Sequence, residues 1–165
     1  MTCILRLALL ATLLGLPAFA ADPVLKITGP EKTAAFTAAE FAALPHTSVT
    51  VTDPHTGTAR TFAGVAVREL LARAGAPLGD KLRSPALQLA VVFRSRDGYG
   101  VVFALADFED AFTDRTLVLA DRENGRPLTE KAAPLQLIAP GDKKAARWAR
   151  MVTSIEIVPV ASPRT

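Results

Sequence analysis

Short apolar runs alternate with polar punctuation along the chain, and each run is bounded by glycine, proline or a capping residue. Leu25 and Ile27 between polar neighbours predict a short strand over 24–28, turned by Gly29-Pro30. Thr37-Ala38-Ala39-Glu40 has capping-box spacing: Thr37 can accept from the backbone N–H three residues on, while Glu40 reaches back. A short helix over 38–43 follows, stopped by Leu44-Pro45. Thr47–Thr52 and 59–62 are β-rich and flank Asp53-Pro54-His55-Thr56-Gly57, which predicts a hairpin with a four- or five-residue loop. Val67, Leu70, Leu71 and Ala74 recur at three- and four-residue spacing, so 65–74 reads as a helix with Gly75 at its C-terminal stop.

The second half is richer in strands. Leu-Ala-Val-Val-Phe within 87–94 predicts a buried strand, which Asp97-Gly98 turns into a partner over 99–104. A short helix is expected over 105–112 and a strand over 115–120. Glu123-Asn124-Gly125 turns the chain again, with Pro127-Leu128 after it. A strand over 135–139 is closed by Pro140-Gly141, 145–151 is helical by composition, and a final strand spans 153–160. Seven or eight strands with three or four short helices in mixed order indicate an α+β fold. The regular βαβα alternation of a doubly wound sheet is missing.

The N-terminus carries a different pattern. Arg6 precedes an apolar run from Leu7 to Leu16, then Pro17 and Ala18-Phe19-Ala20, which is the order of a signal peptide with a small-x-small cleavage site. The apolar run is shorter than the roughly 18 residues a membrane-spanning helix needs. Residues 1–20 are therefore expected to be a signal peptide and 21–165 a single domain, in the periplasm or secreted. A domain of that length buries about two-thirds of its unfolded surface and needs no covalent staple.

Composition removes several kinds of chemistry. The formal net charge is +3, and loss of Arg6 with the leader leaves about +2. That is an argument about solubility and gives no support for nucleic-acid binding. The single cysteine, Cys3, precedes the apolar run, so it is not placed for acylation and is expected to leave with the leader. The remaining chain has no thiol for disulfides, metal thiolates, iron–sulfur clusters or nucleophilic catalysis.

The candidate chemical groups are few. His46 and His55 lie beside prolines in turns, with no second histidine or carboxylate at ligand spacing, and read as solvent-facing loop residues. No serine sits in a Gly-x-Ser-x-Gly elbow, and no phosphate-binding glycine pattern occurs. Asp107, Glu109, Asp110 and Asp114 form the densest acidic group and read as a solvated face, with acid/base or divalent-ion chemistry as the sharper alternative. Lys143, Lys144, Arg147 and Arg150 form the densest basic group. On a helix, Arg147 and Arg150 would share a face and could clamp one anion, with Trp148 and Met151 packed inward.

Five motifs in order carry a resemblance. They are Phe62-Ala63-Gly64-Val65 through Arg68-Glu69-Leu70-Leu71 with Ala74-Gly75; Asp97-Gly98-Tyr99 followed by Phe103-Ala104-Leu105; and Leu117-Val118-Leu119-Ala120 with Asn124-Gly125-Arg126-Pro127-Leu128. Pro134-Leu135-Gln136-Leu137-Ile138 with Pro140, and Ala146-Arg147 with Arg150 and Ile155, complete the set. Over 33–158 the chain resembles the molybdopterin-binding domain of the sulfite-oxidase family, and within it the short exported members that often carry only that domain. The resemblance implies a mixed-sheet sulfite-oxidase-like molybdopterin-binding fold. It also implies that Arg147 and Arg150 stand where catalytic relatives contact the pterin phosphate, with Asp97 and Tyr99 on the same rim.

The departures from the family pattern bear on chemistry. Catalytic members ligate molybdenum through a cysteine thiolate on the segment before the Gly-Val motif, and 47–60 here contains none. Gln136 replaces an expected arginine and Ala133 an expected glycine. Neutral hydroxyls do not replace a soft anionic sulfur donor. The leading expectation is thus an exported, non-catalytic member that binds a small anionic ligand or a partner protein at Asp97, Tyr99, Arg147 and Arg150, with no metal site and no cofactor. The alternatives are a molybdopterin-dependent oxidoreductase of the sulfite oxidase type, with the pterin dithiolene holding the metal, and a periplasmic interaction subunit without a small ligand.

Overall fold

The structure, a computed structural model, describes residues 21–53 and 56–160. The expected leader and His55 lie outside the described residues.

Two five-stranded sheets share one continuous core. The first has the order β2-β1-β10-β5-β6, from β1 (Leu25–Thr28), β2 (Thr33–Phe36), β5 (Leu89–Ser95), β6 (Gly100–Ala104) and β10 (Val152–Pro159). Only β1 and β10 run parallel in it, with Ile27 opposite Ile155. The second runs β3 (Thr47–Thr52), β4 (Ala59–Ala66), β7 (Val118–Glu123) and β8 (Arg126–Pro127), with β9 (Gln136–Ile138) also paired to β7. Leu25, Ile27, Phe93 and Ile155 of the first sheet and Phe62, Leu119 and Leu137 of the second are fully buried. Phe93, Phe103 and Phe108 pack ring on ring, with centroids 5.8–6.1 Å apart.

Two α-helices accompany the sheets. The capping box forms as read: Glu40 N–H donates to Thr37 Oγ1 at 3.2 Å, and Thr37 N–H donates to Glu40 Oε2 at 2.8 Å, starting α1 (Ala38–Ala42). The second helix starts later than its periodicity suggests. Gly64, Val65 and Ala66 continue β4 and pair with Ala120, Leu119 and Val118, so α2 covers only Val67–Arg73. At that crossing a Cβ on Gly64 would lie 2.1 Å from Leu119 O, which explains the glycine. Gly75, at φ +76°, ends the helix where expected.

Other boundaries move for similar reasons. The strand β2 lacks a propensity signal and is created by its pairing with β1. The expected helix over 105–112 is one 3₁₀ turn, Leu105–Phe108, whose start is held by Ala104 N–H donating to Asp107 Oδ2 at 3.1 Å. The expected helix over 145–151 is also a single 3₁₀ turn, Ala145–Arg147. Beyond it the backbone bonds elsewhere: Leu137 N–H donates to Ala149 O, Met151 N–H to Ala132 O, and Met151 sits at φ +52°. Asn124 and Gly125, both at positive φ, make the two-residue turn between β7 and β8.

Candidate functional site

The turn between β5 and β6 and the loop before β10 meet through one side chain. Tyr99 OH donates to Ala146 O at 2.6 Å, and Tyr99 N–H donates to Asp97 Oδ1 at 3.0 Å, with Gly98 at φ +87° completing the turn. Between these segments lies an open cavity of about 640 Å³, lined by Asp97, Tyr99, Lys143, Lys144, Trp148 and Arg150 among others. Trp148 forms its inner wall. The indole is buried, donates from Nε1 to Ala139 O at 3.0 Å, and meets Phe62 edge-on.

Lys143, Lys144 and Arg150 are exposed and have no ion-pair or hydrogen-bonded partner among the described residues. Asp97 is the one carboxylate on this lining, and one of its oxygens is already turned back onto its own loop. The rim therefore carries an excess of two positive charges, and the tyrosine offers a half-exposed ring face rather than its hydroxyl. This arrangement can hold an anion against an aromatic surface.

Arg147 is placed otherwise. Without a helix it does not share a face with Arg150, and it lies outside this cavity lining. Its Nε donates to Asp142 Oδ2 at 2.8 Å, a second bond joins Nη2 to Oδ1, and the guanidinium lies 4.5 Å from the centre of the Phe103 ring. The hydrogen bond to Asp142 raises the Arg147 pKa above its ordinary value, so it stays charged. Asp142 also accepts from Arg115 Nη1 at 2.9 Å, and Arg115 reaches Asp107 at 3.0 Å. That chain of ions pins the loop carrying Lys143 and Lys144 to the start of the Leu105–Phe108 turn.

The remaining sequence candidates are structural. His46 is tied down rather than freely solvated: it bonds Leu44 O at 2.7 Å and Asp121 Oδ1 at 3.2 Å. The acidic group is not a uniformly solvated face. Glu109 is buried, accepts from Gly79 N–H at 3.1 Å and pairs with Arg68 at 3.2 Å, while Asp107 is used by Arg115 and Ala104. Among the described residues no group of three His, Cys, Asp or Glu could hold a metal ion. No helix among them is long and apolar enough to cross a membrane.

The family model for the oxidoreductase molybdopterin binding domain matches residues 16–165. The chain belongs to this family. A solved relative in fold is the sulfane dehydrogenase SoxCD from Paracoccus pantotrophus, with a TM-score of 0.61 and 23% sequence identity over 81% of this chain. The match covers 37% of that chain, so this protein corresponds to one part of a larger one. No curated protein matches the sequence. The mixed sheets with few helices are those of the sulfite oxidase-like molybdopterin-binding fold, as the sequence motifs imply.

The donor set does not fit the metal half of the family's cofactor. In the segment expected to carry the thiolate, Arg60 pairs with Asp53 and also reaches Glu123 at the end of β7: Arg60 Nη1 donates to Asp53 Oδ2 and Arg60 Nε to Glu123 Oε1, both at 2.6 Å. These bonds, the one to Glu123 foremost, raise the Arg60 pKa. The described part of the segment offers hydroxyls and a carboxylate already bound to Arg60, and no soft donor. At the expected arginine position, Gln136 is a buried neutral amide.

Proposed function

We propose that this protein is an exported, non-catalytic member of the family that binds a small anion in the cavity between the Tyr99 turn and the 143–150 loop. The carrying observation is the convergence of Lys143, Lys144 and Arg150 on one cavity with Asp97 as the only carboxylate there. The lack of a cysteine in 47–60, where Asp53 is instead paired with Arg60, supports the non-catalytic reading. Arg147 serves the site indirectly, holding the loop through Asp142 rather than touching the ligand. Family membership favours one further reading, a molybdopterin-dependent oxidoreductase that holds its metal without a protein thiolate.

Calorimetric titration with inorganic phosphate and pyrophosphate tests the anion site. Saturable binding that is weakened in Arg150→Ala supports it. If neither anion binds, or both bind Arg150→Ala and wild type equally, the site is wrong and an interaction subunit without a small ligand becomes the better account.

A further inference from the structure

A second cavity, of about 370 Å³, lies at the other end of β5. Its lining includes Leu89, the first residue of that strand, whereas the cation-lined cavity begins just after Ser95, the last. Six residue steps at about 3.3 Å each separate the two by roughly 20 Å. They are independent sites.

The lining is apolar and stiff. Four proline rings, Pro30, Pro77, Pro85 and Pro159, stand around Ala86 and Leu89. Proline loses no side-chain rotamer freedom when a ligand covers it, so such a surface is preorganised. The turn under it is equally fixed: a Cβ on Gly29 would meet Ala74 O at 1.9 Å, so the β1–β2 turn lies hard against the end of α2. Val160 N–H donates to Gln88 O at 2.8 Å, closing the opposite side. A volume in the range of small-molecule sites, mostly apolar walls and a few polar groups match the usual make-up of a ligand pocket.

Lys81 and Arg83 stand on this lining, exposed and without an ion-pair or hydrogen-bonded partner among the described residues. Glu31 is the one carboxylate on this lining. The rim therefore carries a net charge of +1 above an apolar floor. We infer that this cavity is a second ligand site, for a small carboxylate with an apolar or aromatic body. The body would lie on the proline, Ala86 and Leu89 surface, and the carboxylate would face Lys81 and Arg83. This is independent of the anion site proposed above.

Amide chemical-shift titration of the full-length protein with 4-phenylbutyrate tests the assignment, with 4-phenylbutan-1-ol and inorganic phosphate as comparison probes. The expected result is saturable shifts at Gly75, Ala86, Gln88 and Leu89, with the alcohol binding more weakly. The Lys81→Gln/Arg83→Gln variant should bind the carboxylate about tenfold more weakly, as loss of charge-assisted hydrogen bonds implies. Ala86→Phe, which fills the cavity and leaves the cations in place, should also abolish the shifts. Phosphate should leave these four amides unmoved. The inference is overturned if the carboxylate gives no saturable shift there, if its shifts map only to residues 97–99 and 143–150, or if the alcohol and the double variant bind as well as the originals.

Discussion

At the scale of single residues, exposure and partnership separate the two arginines that the sequence presents as equals. Arg150 is exposed, lines the cavity and has no partner among the described residues, whereas Arg147 is engaged by Asp142 and stacked on Phe103. Replacing Arg150 with alanine should weaken phosphate or pyrophosphate binding by about 1–3 kcal/mol, the range for a hydrogen bond to a charged group. The melting temperature should barely change, and calorimetry beside a thermal melt reads both. Arg147→Ala should do the reverse in part, lowering the melting temperature because it leaves the Asp142–Arg115 pair without its third member. Gly64 is the sharpest steric case. Gly64→Ala sets a methyl 2.1 Å from Leu119 O, and about 1–3 kcal/mol or more of stability should be lost on denaturant unfolding.

At the scale of elements, local patterns were legible wherever local bonds decide the structure. Thr37 and Glu40 form the box their spacing implies, and Asn124-Gly125 makes the hairpin turn. Thr37→Ala should cost about 0.5–2 kcal/mol, measured by denaturant unfolding at neutral pH. The bonds from Thr37 also hold the Glu40 pKa below 4.5, so their contribution is present above that pH and fades as pH falls through the lowered value. Thr37→Ala loses the hydroxyl bond to Glu40 but keeps the one from the backbone N–H, so its deficit against wild type should shrink on acidification without vanishing, because the bond from Glu40 N–H to Thr37 Oγ1 does not titrate. Patterns misled where a distant segment supplies the hydrogen bonds. Helical spacing from Val65 onward is overridden by pairing of Gly64–Ala66 with β7, and helical composition over 145–151 by bonds to Ala132 and Leu137. No spacing in the sequence announces those partners. The same loss of helix removed the shared face of Arg147 and Arg150, so the rim at Asp97, Tyr99 and Arg150 was readable while the pairing of the two arginines was not. Lys143 and Lys144 were visible as charge, but their place on the rim depends on the Asp142–Arg115 contact, a tertiary fact.

At the scale of the whole molecule, the chain keeps the family's two-sheet frame and changes what the frame presents. The five motifs trace strand pairings and turns, so the fold followed from the sequence, with Gly64 and Gly75 as its fixed points. What departs is the chemistry: no cysteine in 47–60, a neutral Gln136, and one guanidinium, Arg60, shared between the carboxylates of Asp53 and Glu123. A fold retained with no cysteine in 47–60, together with an unpaired cationic rim, is the basis for the anion-binding account. The molybdenum content of the protein purified from a molybdenum-replete host, by elemental analysis, tests it most directly. The account predicts far less than one molybdenum per chain. A near-equimolar amount that stays with the protein through purification, accompanied by sulfite-dependent electron transfer, would contradict it.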